Sequence, residues 1–398
     1  MFDRKAASAA LSEMFAEGVS AAIQRESSEF DRAVGEALGR VVLFGAGTLG
    51  RQVLGCLRRD GLEPIAFSDN GPNGWGKTVD GLPVLSPTVA ANRYGDSATF
   101  LVTIWNDRQR FAETATKLQS LGCGRVLASP PLRWKYLSGI PPFPFFFLDL
   151  PHRLYDAIPA IVATADVWAD DQSRHEYVAQ IRLRLFGELK TLPPPESNQY
   201  APFDIFAPRG DEVFVDCGAF DGDTIREFVA AWDGRFKHIY ALEPDPGSCH
   251  RLSTSIESLP PSLANRIEVL QIAVGGESGQ VRFRADGTMG AAVADDGDVT
   301  IDCRTLDELF EGDPVSYIKM DIEGQEPAAL RGGMGVIARC RPIIAACVYH
   351  AQDHLWSIPL FLHERLENYS LFLRPHKPDG WDLIVYAVPH ERLNRPAG

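Results

Sequence analysis

Runs of four or five apolar residues that end at a glycine or an acid recur along the chain, separated by longer stretches with apolar positions three or four apart. The first pattern predicts buried parallel strands and the second the helices that cover them, so the chain reads as α/β. Residues 5–38 place Ala, Leu, Met, Phe and Ile at helical intervals with few breakers, and one or two helices are expected there. Residues 40–44 read as a buried strand, Gly45-Ala46-Gly47-Thr48-Leu49-Gly50 as a glycine turn, and residues 51–59 as the following helix. A second strand is expected over 64–67, ending at Ser68-Asp69-Asn70, and a third over 100–104, ending near Trp105-Asn106. Residues 165–189 predict one helix with Val167, Val178, Ile181, Leu185 and Leu189 as its apolar stripe. Pro193-Pro194-Pro195 breaks it, and the chain from Pro202 to Pro208 leads into a second strand–turn–helix series.

That series opens on Val213-Phe214-Val215-Asp216-Cys217-Gly218-Ala219-Phe220-Asp221-Gly222-Asp223-Thr224, where the glycines let the turn pass close to a ligand. A phosphate loop would present backbone N–H groups and often a lysine, whereas this turn carries three acids and no base. A ligand with a cationic or hydroxyl-rich end fits it better. The strand His238-Ile239-Tyr240-Ala241-Leu242 ends at Glu243, where a doubly wound sheet offers a carboxylate to ribose hydroxyls. Tyr317-Ile318-Lys319-Met320 delivers Asp321 and Glu323 to another strand end, on the same side of an extended chain, as base, hydroxyl anchor or metal ligands. Residues 342–348 put Tyr349-His350 at a further strand end, and by type an imidazole is the best proton acceptor near neutral pH. Plainer readings stand beside these: a turn-capping aspartate for Asp216, a surface residue for Glu243, a turn residue for Glu323, structural histidines for His350 and His376.

Taken in order, the Val-Asp-Cys-Gly-Ala turn, Leu242-Glu243-Pro244, Ile272-Ala273-Val274-Gly275, Thr305-Leu306-Asp307-Glu308-Leu309, Asp321-Ile322-Glu323-Gly324, Tyr349-His350 and Leu383-Ile384-Val385-Tyr386-Ala387 resemble the FkbM family of S-adenosylmethionine-dependent methyltransferases, over residues 205–390. The resemblance implies a class I methyltransferase fold, a Rossmann-like, seven-stranded, mostly parallel sheet that binds S-adenosylmethionine and usually methylates an oxygen. It also implies Asp216, Gly218, Ala219, Phe220, Asp221, Gly222, Thr224, Glu243 and Ala273 around the cofactor, with Asp321, Glu323 and His350 as the catalytic candidates.

The Gly-x-Gly-x-x-Gly turn at 45–50, with Asp69 further on, has the strand–turn–helix context of a dinucleotide site, so a smaller N-terminal Rossmann-like domain is expected. Gly74-Trp75-Gly76 and Asp80-Gly81-Leu82-Pro83-Val84-Leu85 resemble small domains of bacterial surface-sugar enzymes, some of which hold a nucleotide-sugar at this turn. Gly45, Gly47, Gly50 and Asp69 are therefore candidates for a nucleotide-linked ligand, with NAD(P) or an unused structural turn as alternatives. Tyr349 and His376 are further candidate substrate residues. The expected organisation is a helical segment over 1–39, the Rossmann-like domain over 40–130, a helical, proline-rich connector over 131–205 and the methyltransferase domain over 206–398.

Composition narrows the partners. The 398 residues, 45% of them apolar, suffice for two cores, and 53 acids against 39 Lys and Arg give a net charge of −14. That balance argues against non-specific binding to nucleic acid or an anionic membrane and favours a small neutral or cationic acceptor. Arg365, Arg374, His376 and Lys377 are a local exception that could meet a phosphate-bearing substrate. Seven cysteines without a Cys-x-x-Cys pair point to a reducing cytoplasm. No signal-peptide core follows the N-terminus, and the apolar run 141–150, with three prolines in its first four residues, is too short to span a membrane. No histidine pair or cysteine cluster fixes a transition-metal site, while magnesium on carboxylates stays open, as does a homo-oligomer. The expected activity is O-methylation of a hydroxyl on a small-molecule or glycan acceptor: a sugar, sugar-nucleotide or secondary-metabolite intermediate. The alternatives are a non-catalytic nucleotide-sensing or assembly protein with this fold, and an NAD-dependent sugar-modifying enzyme using Gly45–Gly50.

Overall fold

The computed structural model describes residues 2–35, 39–104, 106, 108–136, 148–284, 292–293, 297 and 299–394. The expected strand end at Trp105 and residues 141–147 of the apolar run lie outside the described residues. The chain forms two compact units: Met1–Ala165 with Arg174–Pro194 and Lys377–Trp381, and Asp166–Ser173 with Pro195–His376 and Asp382–Gly398.

In the first unit, helices Arg4–Phe15 and Val19–Gly35 precede a six-stranded sheet built from β1 (Val41–Phe44), β2 (Ala66–Ser68), β3 (Thr78–Val79), β4 (Leu82–Leu85), β5 (Thr99–Val102) and β6 (Arg125–Leu127). The order is β3-β4-β2-β1-β5-β6, parallel except for the β3–β4 hairpin. The sheet core is continuous because β1 and β5 are buried on both faces, as their uninterrupted apolar runs require.

The single helix expected over 165–189 is two, Ile158–Ala165 and Asp171–Phe186. The apolar period runs on through the gap, but tertiary contacts break it. Trp168 is fully buried and bridges Leu371, Ala169 donates its N–H to the Leu371 carbonyl (2.8 Å), and Asp170 starts the new helix by accepting from the Ser173 N–H (2.8 Å). Leu189 falls in a separate short turn, Leu189–Thr191.

The second unit is built on β7 (Val213–Cys217), β8 (His238–Leu242), β9 (Ile267–Leu270), β14 (Tyr317–Met320), β15 (Ile343–Cys347), β16 (Tyr369–Pro375) and β17 (Leu383–Pro389). Their order is β16-β17-β15-β14-β7-β8-β9, with only β17 antiparallel to its neighbours. A separate four-stranded sheet, β10 (Ala273–Val274), β11 (Gly279–Arg284), β12 (Ala292–Val293) and β13 (Val299–Arg304), lies between β9 and β14 in sequence. Chain order reverses between β7 and β14, and a doubly wound sheet opens its ligand crevice at the carboxyl ends of the strands beside such a reversal. Phe214 on β7 stacks on Phe228 of the next helix (4.3 Å between centroids), which stacks on Trp232 (4.0 Å), so an aromatic column anchors the first strand–helix pair. Among the described residues no helix is long and apolar enough to cross a membrane.

Candidate active site

From Cys217 the chain turns through residues 218–222 into the helix Asp223–Ala231. The N–H groups of Gly218 and Ala219 both donate to the Leu242 carbonyl at the end of β8 (2.9 and 3.1 Å). Gly218, at φ +82°, has no room for a side chain, since a Cβ would lie 2.0 Å from the Asp321 carbonyl oxygen. The turn is therefore pressed against the end of β14. Glu243 braces it from the other side, accepting from the Phe220 N–H on one oxygen and the Asp245 N–H on the other (2.8 Å each). Burial pushes this carboxyl up to about 7, with the two amides pulling the other way. Asp221 pairs with Arg226 (3.0 Å), the Asp223 side chain accepts from the Thr224 N–H (2.7 Å), and Thr224 and Ala273 are buried.

Asp216 lies behind the turn, fully buried, one residue inside β7. Lys319 stands opposite it in register on β14, with Nζ 2.9 Å from the carboxylate, and also donates to the Gly218 carbonyl (2.6 Å). Burial pushes the Asp216 carboxyl up to about 6, and the Asp216 and Asp321 carboxylates outweigh burial to hold Lys319 above the ordinary lysine range, so the pair is ionised at neutral pH. Asp216 is thus tied to the turn through Lys319.

Past β14, Asp321 is the hub of a second cluster. The Tyr200 and Tyr349 hydroxyls donate to its two oxygens (3.2 Å each), and His350 Nε2 is 3.3 Å away. The other imidazole nitrogen lies 2.9 Å from Glu326, while Nε2 is 3.8 Å from Glu323. Burial alone would pull the His350 pKa down, but Glu326, Asp321 and Glu323 together raise it well above its ordinary value. That favours the charged imidazolium, which weighs against the expected role of His350 as proton acceptor. Asp321 is partly buried, which would raise its pKa, yet His350 and Lys319 hold it below the usual carboxylate range. Glu323 goes the opposite way: burial, then Asp321 and Glu326, push it up to about 7 against His350 and Lys319. At φ +52° its backbone is left-handed, and its side chain is 29% exposed where that of His350 is 2% exposed.

Residues 216–371 match the family described as the methyltransferase FkbM domain. Over that stretch, the FkbM domain, the chain is similar to this family. The crystal structure of methyltransferase FkbM from Methylobacillus flagellatus KT is similar in fold over 96% of this chain and 100% of that one, with a TM-score of 0.75 and 23% identity. Partial likenesses extend to UDP-D-quinovosamine 4-dehydrogenase from Vibrio fischeri (25% identity, 22% of this chain and 75% of that one, TM-score 0.20) and to Aeropyrum pernix fibrillarin with natively bound S-adenosyl-L-methionine (13%, 45% and 67%, TM-score 0.29). No curated protein matches the chain.

Within the FkbM domain the structure gathers the 216–224 turn, Glu243, Asp321, Glu323, Tyr349 and His350 at the carboxyl ends of adjacent strands. It does not leave Arg374 and His376 as a basic surface. Arg374 is buried against Asp170 (2.6 Å) and Asp204 (3.3 Å), and His376 is buried with Nε2 2.8 Å from the Tyr386 hydroxyl, which accepts from the Tyr200 N–H. Sequence reading missed Lys319, Glu326 and Tyr200. The signal for Lys319 was present, a lone charge inside an apolar strand. Asp321, Glu326 and His350 bring one ligand atom each within 4.8 Å of one another, a spacing a cation could span.

Gly45, Gly47, Gly50 and Asp69 belong to the first unit. A Cβ at Gly50 would lie 1.9 Å from the Gly45 carbonyl oxygen, so the helix start packs directly on the turn, while Gly47 faces open space. Asp69 accepts from the Ala46 N–H on one oxygen and from the Gly71 N–H on the other (2.8 and 2.7 Å), 23 and 2 residues away, the same two separations that Glu243 has to Phe220 and Asp245.

Proposed function

We propose that the FkbM domain transfers the methyl group of S-adenosylmethionine to a hydroxyl oxygen of a sugar, sugar-nucleotide or related glycan or secondary-metabolite intermediate. The observation that carries this reading is the contact between the cofactor turn and the acid cluster: Gly218 abuts the Asp321 backbone, so a cofactor on the turn has Asp321, Glu323 and His350 beside it. The cofactor supplies an electrophilic methyl on a sulfonium, and methyl transfer is a displacement in which positioning counts most. Glu243, with both oxygens fixed by amides, is set to accept from ribose hydroxyls. The net negative charge of Asp216, Asp321, Glu323 and Glu326 against Lys319 and His350 favours a cationic ligand.

Glu323 is the group we assign as general base. It takes the acceptor's proton as the new C–O bond forms and the C–S bonding pair leaves with sulfur. Its carboxylate is partly exposed, as is that of Asp321, but Glu323 is the one of the two poised at about 7. The base works ionised, so the transfer rate should rise as pH passes upward through about 7. In Glu323→Gln that limb should vanish and the rate fall by about 10²–10⁴-fold, as a pH–rate profile would reveal.

For the first unit we propose a nucleotide-linked ligand at the Gly45–Gly50 turn with Asp69 on the ribose. Its support is the two-amide hold that Asp69 shares with Glu243. The acceptor reading is tested by incubating the protein with methyl-labelled S-adenosylmethionine and a panel of nucleotide-sugars and glycan extracts. Label on a sugar oxygen is the expected result, and label on nitrogen or carbon would overturn it.

A further inference from the structure

Lys319 is the least expected residue of the site: an ammonium 2% exposed, on a strand whose other members are apolar. Taking an ammonium and a carboxylate out of water is unfavourable, and apolar residues of like volume often join two strands as well or better. Holding β7 to β14 therefore does not account for the Asp216–Lys319 pair. What the pair has that apolar residues lack is a donor aimed at the Gly218 carbonyl (2.6 Å). That carbonyl shares a peptide plane with the Ala219 N–H, which donates to Leu242, and the next N–H along, that of Phe220, donates to Glu243. One peptide is thus pinned at both edges, and its orientation sets where the following amide meets the Glu243 carboxylate.

We propose that Lys319 is a positioning residue for cofactor binding. With Asp216 as its counter-ion, it fixes the Gly218–Ala219 peptide and through it Phe220 and Glu243, without touching the cofactor itself. The Lys319 ammonium also lies 5.5 Å from the ring of Tyr200, whose hydroxyl donates to Asp321, so the same cation braces the acid cluster. This role rests on the methyltransferase reading above.

The test compares the wild-type protein with the double variant Asp216→Val/Lys319→Met and the single variant Lys319→Arg, measuring Tm and S-adenosylhomocysteine affinity by calorimetry. The double variant removes both charges together and leaves neither buried alone. It should melt at or above the wild-type Tm yet bind S-adenosylhomocysteine about tenfold more weakly, the worth of one charge-assisted hydrogen bond. Lys319→Arg, which can still donate, should recover part of that loss. A double variant that melts normally and binds like wild type would overturn the role, and so would one that melts far below wild type, because the pair would then be structural. Absence of binding by the wild-type protein would overturn the cofactor reading itself, a result distinct from either.

Discussion

Replacing Asp321 by Asn should lower the methyl-transfer rate by about 10³-fold, within the range that a positioned acid–base group contributes, while S-adenosylhomocysteine still binds. The carboxylate holds three partners at once, the hydroxyls of Tyr200 and Tyr349 and the Nε2 of His350. An Asn of the same shape keeps one acceptor oxygen and turns the other position into a donor facing a donor. It also removes a negative charge that makes Glu323 hard to ionise, while Glu326, the stronger partner of His350, stays in place. The substitution should therefore have a second signature. Without the Asp321 charge, the Glu323 carboxyl falls from about 7 toward its ordinary range, and the rising limb of the pH–rate profile moves to lower pH. A rate loss without that shift would mean that Asp321 acts on the substrate alone and does not tune Glu323.

Glu243→Gln should weaken S-adenosylhomocysteine binding by about 30-fold or more, near 2 kcal/mol. Both carboxylate oxygens accept from backbone amides, Phe220 on one side and Asp245 on the other. Glutamine can satisfy one of them and sets its NH2 group against the second, leaving a donor unpaired in a buried turn at a cost of about 1–3 kcal/mol. The charge available to the ribose hydroxyls goes as well. The wild-type protein should show the matching pH dependence. Hydroxyls donating to Glu243 favour its ionised form, and its carboxyl stands at about 7, so affinity should be full above that pH and decline as pH falls through it. In Glu243→Gln the decline should be absent.

The strand–turn units of both halves were legible in the sequence because strands buried on both faces carry runs that are mostly apolar. Val213–Cys217 and His238–Leu242 emerge where their runs predict, and the turn after β7 stands out by its acids. Features created by contacts between distant residues were not legible. The gap between Ile158–Ala165 and Asp171–Phe186 has no break in apolar period, and its cause is Leu371 and Arg374, some 200 residues on. The four-stranded sheet of β10–β13 escaped because strands such as β11 and β13 expose alternate residues and carry no long apolar run. Side-chain type alone suggested His350 as the base. Its charge state depends on Glu326 and Asp321, which only the fold brings to its two ring nitrogens. Arg374 and His376 looked like a basic patch for the same reason, since their buried partners Asp170, Asp204 and Tyr386 are set by the fold.

The most direct test of a methyltransferase centre at these strand ends is calorimetric titration of S-adenosylhomocysteine into the wild-type protein and Glu243→Gln at pH 8, where Glu243 is ionised. Saturable binding to the wild type at one site per FkbM domain, weakened about 30-fold or more by the substitution, is the predicted result. No binding by the wild type, or equal affinity in the two proteins, would contradict it.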